Sequence, residues 1–243
     1  VSAACVSFSH RRWEESLDRN RQAIELAKSV NQPVAESHAR YDLMHVSYAL
    51  GDLEAATQHA EAMFDASKRS GHRRWQASAI EINENVSSAK GDWQGARELI
   101  ERGLSVSPLD TNLLGSRALL EFQVGDFETG AAYLDRLLEV VQEFQVGTST
   151  TSTVAPSWLT YPAVVIPLVV RITGVLDRFE VAEEIAEFVL ARGNTVPAYA
   201  QAARIGMALI AVQLNNAAGA EELYPVLESL AGTISPTSPN GPG

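Results

Sequence analysis

Apolar residues along this chain return at intervals of three and four, and strand-type alternation is nearly absent. A period near 3.6 gathers such residues on one stripe of a helix, and the Ala, Leu, Glu, Gln and Arg between them favour the helical state. Residues 92–104, "DWQGARELIERGL", show the pattern at its clearest. Trp93, Ala96, Leu99, Ile100, Gly103 and Leu104 fall on one stripe while Gln94, Arg97, Glu98, Glu101 and Arg102 face away, which predicts an amphipathic helix of about three turns. Asp92 can accept hydrogen bonds from the free amides of the first turn, and Gly91 before it permits a tight reversal.

The same turn and helix start recurs. Gly51-Asp52-Leu53-Glu54-Ala55-Ala56, Gly91-Asp92-Trp93-Gln94-Gly95-Ala96 and Gly125-Asp126-Phe127-Glu128-Thr129-Gly130 share Gly, Asp, a large apolar residue, two variable residues and a small one. Their spacings of 40 and 34 residues predict stacked helical hairpins. Weaker copies begin at Arg12, Arg178 and Asn216, so the anchor positions run Trp13, Leu53, Trp93, Phe127, Phe179 and Ala217. Three residues after each anchor stand Ser16, Ala56, Ala96, Gly130, Ala182 and Ala220, all small, as the close approach of two helices in a hairpin requires. Eight residues further on, Ile24, Phe64, Leu104, Leu138 and Leu190 are apolar, and Glu228 marks a terminal repeat with a wetter face. The conspicuous His-Arg-Arg-Trp, present at His10–Trp13 and His72–Trp75, is out of phase with this period. Trp13 opens the second helix of a hairpin and Trp75 the first helix of another, so the verbatim match reads as coincidence and the tryptophans as packing residues.

The segment "GDWQGARELIERGLSVSP" resembles the second half of a tetratricopeptide repeat, in which Gly-Asp-aromatic-x-x-Ala is followed by apolar residues and by a Pro twelve positions after the Ala. Ala96 and Pro108 match that interval, and the resemblance covers roughly residues 10–231 as repeats of variable fidelity. It implies an all-α fold, a superhelical array of antiparallel helix hairpins in which helix A of each hairpin lines an inner groove. Where the family has Leu-Gly in helix A, this chain has Leu43-Met44, Asn83-Glu84 and Arg117-Ala118. With the 40-residue periods, that departure is similar to the degenerate repeat regions of large bacterial ATPase regulators with a LuxR-type DNA-binding end, and of ATPase-linked adenylate cyclases. The resemblance therefore implies a non-catalytic scaffold for protein–protein interaction, a regulatory segment of a larger signalling protein or transcriptional regulator.

Charge narrows the partner class. With 30 acidic against 19 basic residues the net charge is −11, a field that repels phosphate backbones and anionic membrane surfaces. A protein or peptide partner is expected, and neither nucleic acid nor membrane. Cys5, the lone cysteine, excludes an internal disulfide framework and a cysteine-based zinc cluster, which together with the absence of a signal-type leader gives a cytoplasmic expectation. The start at Val1 is compatible with a fragment of a longer chain. The most apolar run, residues 158–170, "WLTYPAVVIPLVV", holds two prolines and falls short of the roughly 20 residues a membrane-spanning helix needs, so it predicts a buried, kinked helix. Residues 147–157, "GTSTTSTVAPS", predict a flexible linker between an N-terminal subarray, 1–146, and a C-terminal one, 158–231; residues 232–243 predict a disordered tail.

No phosphate-binding loop, dinucleotide fingerprint, His-Glu-x-x-His or nucleophile elbow occurs, so no catalytic residue and no cofactor are expected. His38 and His45 share a helix face and His59 lies on the partner helix, without the tight spacing of metal ligands, so no metal is expected. In the tetratricopeptide register the inner face of successive A helices carries His38, Tyr41 and His45, then Ser78, Glu81 and Asn85, then Asn112. Family members that clamp a peptide's C-terminal carboxylate use Lys, Arg and Asn at such positions. Here Glu81 opposes a carboxylate, and the register implies a polar, hydrogen-bonding groove for a peptide or another domain. The alternative is a ligand-sensing effector domain with a small-molecule site between the subarrays.

Overall fold

A computed structural model describes residues 12–147, 179–191 and 197–228. Among them are ten helices and no strand: α1 Trp13–Ser29, α2 Pro33–Ala49, α3 Leu53–Ser70, α4 Arg73–Ala89, α5 Trp93–Val106, α6 Thr111–Val124, α7 Phe127–Gly147, α8 Phe179–Leu190, α9 Pro197–Gln213 and α10 Ala217–Glu228. The protein is an all-α helical repeat array.

Turn chemistry explains why the helices begin where they do. Gly51, Gly91 and Gly125 adopt φ of +80°, +78° and +88°, a left-handed conformation that other residues reach only under strain. Each is followed by an aspartate that caps the next helix: Asp52 accepts from the Ala55 amide at 2.9 Å, Asp92 from Gly95 at 3.0 Å and Asp126 from Thr129 at 3.2 Å. The weak copy near residue 216 uses a different spelling of the same turn. Asn215 takes the left-handed position at φ +55°, and Asn216 caps α10 by accepting from the Gly219 amide at 3.1 Å. Asparagine tolerates that conformation better than most residues with a Cβ. Arg12, at the capping position of α1, makes no side-chain cap. His72 does cap, accepting at Nδ1 from the Trp75 amide, so the second His-Arg-Arg-Trp is a helix start.

Compactness divides the described chain into one unit up to Leu113 and another from Leu114 onward, a boundary inside α6. It falls elsewhere than the composition-based boundary, because a compositional linker marks lost periodicity whereas compactness follows helix packing. Gly147 ends α7; the rest of the expected linker, the apolar run at 158–170 and the tail 232–243 lie outside the described residues. In the first unit each helix from α1 to α5 packs on its neighbour in sequence, and α2 also meets α4. That skip contact is what stacking of one hairpin's first helix on the next requires. In the second unit α8 packs on α9 and α9 on α10.

The core of the first unit joins α2, α3 and α4 through Met44, Tyr48, Ala56, Ala60, Met63, Ala79, Ile82 and Val86. Small residues three after five of the six anchors are buried, Ser16, Ala56, Ala96 and Ala182 completely and Gly130 with them, while Ala220 is half-buried. A Cβ on Gly130 would come within 2.5 Å of the Phe122 ring, and one on Gly103 within 2.5 Å of the Leu113 side chain. The apolar anchors behave less uniformly. Phe179 is buried, while Trp93 is 38% exposed and Phe127 63%. All three open their helices, so position at the first turn does not by itself set burial; the Phe127 ring still meets Phe122 at 5.9 Å between ring centres. On α10 no residue is buried.

Candidate partner-binding face

Of the seven inner-face residues read from the register, three lie on α2, three on α4 and one at the start of α6. On α2, His38, Tyr41 and His45 follow i, i+3, i+7 spacing, and Ser78, Glu81 and Asn85 do the same on α4, so each set occupies one helical face. Two kinds of contact join them. The Trp75 ring, three residues before Ser78, lies 5.4 Å from His38 and 5.2 Å from Tyr41, while Tyr41 meets His45 edge-on at 4.4 Å. At the other end the Asn112 amide donates to Glu81 Oε2 at 2.9 Å, tying α6 to α4. The seven residues thus form one strip across three helices.

Exposure separates their roles. His38, Tyr41, Trp75 and Asn112 are half-buried and present surface; His45, Ser78, Glu81 and Asn85 are buried beneath. Burial sets the protonation of the inner members. Glu81 is pushed up to about 8 by desolvation first and then by the charge of Asp110, with the Asn112 hydrogen bond opposing the shift. Asp110, which caps α6 by accepting from the Leu113 amide at 3.2 Å, is also raised, chiefly by desolvation. His45 is driven down to about 4 by burial, and His38 is lowered for the same reason, so both imidazoles are neutral at pH 7. His59, on α3, is lowered by burial and by Arg40 and Arg21, and no group of three or more His, Cys, Asp or Glu side chains among the described residues could hold a metal ion.

Register alone did not single out Trp75, Asp110 or Thr111 as parts of this face. Trp75 lies on the same helical stripe as Ser78, which was a usable signal. Asp110 and Thr111 precede or open α6, and their approach to α4 depends on a turn without a Gly-Asp signature, Ser107–Asp110.

A buried carboxylate also joins α2 to α3. Glu36 on α2 accepts from Arg40 at 3.0 Å and from Arg69 on α3 at 2.6 Å, so one carboxylate with two guanidiniums locks the first and second helices of this hairpin together.

No protein-family model matches the chain, and no curated protein matches it in sequence. Among solved structures, BtubC (BKLC) from P. vanneervenii is similar, with a TM-score of 0.57 at 15% identity over 90% of this chain and 92% of that one. At that identity the likeness concerns the helical fold alone. No described helix is long and apolar enough to cross a membrane.

Proposed function

We propose that this chain is a non-catalytic helical scaffold that binds a protein or peptide segment along the face built by α2, α4 and the start of α6, as a regulatory segment of a larger signalling protein or transcriptional regulator. The reading is supported above all by the half-buried aromatic surface of His38, Tyr41 and Trp75, contributed by two helices and continuous with the polar strip beyond it. Aromatic side chains that are partly exposed and rigidly packed on their inner edge supply contact area at small entropic cost, and interface energy concentrates in such residues. Trp75 and Tyr41 pack on the core of the first unit by one edge, which holds them in place before any partner arrives. The net charge of −11 favours partners of opposite sign.

Selection of binders from a random peptide display library on the full chain tests the reading. Tyr41→Ala and Trp75→Ala are expected to weaken the selected peptides about tenfold or more, with melting curves recorded to confirm folding, while Trp93→Ala on the exposed side of α5 leaves affinity unchanged. Peptides indifferent to Tyr41 and Trp75, or no peptides at all, would remove the proposal.

A further inference from the structure

We propose that Glu81, Asp110 and Asn112, with Asn85 and Thr111, form a subsite for one arginine guanidinium of the bound segment. The inference rests on the peptide-binding reading and names the chemistry that would anchor such a peptide. Two buried groups lack hydrogen-bond partners: the Asn85 carbonyl oxygen, on a residue 4% exposed, needs a donor, and the Thr111 hydroxyl, on a residue 7% exposed, can take one. Asn85 stands one turn beyond Glu81 on the same face of α4, and Thr111 sits between Asp110 and Asn112. Glu81 is buried and forms the floor; Asp110 and Asn112 are half-exposed and form the rim. Across these five side chains acceptors outnumber donors, and a side-chain hydrogen bond that joins the two helices here is itself an amide reaching a carboxylate.

A ligand group that suits such a site must be cationic, rich in N–H donors and able to spread them over several directions. Guanidinium fits that description with five donors in a planar fork. A carboxylate would be repelled by Asp110, and a neutral amide would leave that charge uncompensated. The charged groups in range of Glu81 are Asp110, Glu84 and Arg74. Arg74 offsets part of the negative charge, and the two further carboxylates leave the balance acidic. An arriving guanidinium favours the ionised form of Glu81, so binding is coupled to loss of a proton and tightens as pH rises through about 8.

The test uses the full chain, labelled with ¹⁵N, titrated with N-acetyl-arginine methylamide, its lysine analogue and its neutral citrulline isostere. Saturable shifts at the side-chain amides of Asn85 and Asn112 and the backbone amide of Thr111 are expected with the arginine derivative, stronger at pH 9 than at pH 6. Lysine should bind about tenfold more weakly and citrulline not at all. Glu81→Gln, which keeps an acceptor for Asn112, and Asp110→Asn, which keeps a cap, should each weaken arginine about tenfold while the rest of the spectrum stays folded. Citrulline binding as well as arginine, shifts elsewhere, no shifts with any derivative as for a site filled by water alone, or both variants binding as tightly as the parent would overturn the subsite; lysine binding as tightly as arginine would overturn its assignment to guanidinium. Inner-face peptides selected without arginine would also sink the subsite and leave the scaffold reading intact. Arginine binding in the absence of any selected peptide would do the reverse.

Discussion

Glu81 makes the stability of the fold depend on pH in a direction opposite to that of most carboxylates. Folded, it holds its proton up to about 8; unfolded, it releases it near 4.5. Between those values the folded state binds the extra proton, so its contribution is fully present below about 4.5 and is lost as pH rises toward 8. Glu81→Gln is therefore expected to raise stability at pH 9 by on the order of a few kcal/mol and to change little at pH 4.5, read from urea midpoints at the two values. His45 works from the other side. Its pKa falls from 6.5 to about 4 on folding, so its contribution is present above 6.5 and is lost as pH falls toward 4. At the same scale, Asp92→Ala removes the cap on the Gly95 amide and should cost about 1 kcal/mol in chemical denaturation.

At the scale of the helix, the position three after each anchor decides how near two helices can lie. Ala56 is fully buried among Met44, Met63 and Ile82, and Ala56→Leu is expected to cost about 1–3 kcal/mol by overpacking, against less than about 0.5 for Gln58→Leu on the exposed face, both measured by thermal melting. Helix starts could be read from residues alone because capping is local: a left-handed residue and an acceptor within four positions are enough. Exposure could not be read that way. Trp93 and Phe127 look like the strongest core anchors in the sequence, yet they lie at the surface while Phe179, at the same first-turn position, is buried. The binding face divides along the same line. Its seven residues follow from helical periodicity and register, whereas the approach of Trp75 to His38 and of Asp110 to Glu81 joins positions about 30 or more apart, and the proton affinity of Glu81 follows from burial that no local pattern encodes.

For the molecule as a whole, an array of this kind gains its stability from neighbours in sequence, with little reach beyond them. Ala56→Leu in the first unit and Ala182→Leu in the second share no packing partner among the described contacts, and their effects are expected to add within about 0.5 kcal/mol, a sum that a double variant measures directly. The joint between helices carries a consequence for how such a chain can change length. Gly-Asp at residues 51 and 91 and Asn-Asn at 215 close the same reversal using only atoms within a few positions, with no distant residue recruited. A joint so self-sufficient behaves like a splice junction. Inserting a second copy of residues 52–91 after Gly91 leaves every joint intact and adds one further pair of helices, which circular dichroism would register as a gain in helical signal without loss of cooperative melting; gene duplication could lengthen this protein in the same way, one hairpin at a time.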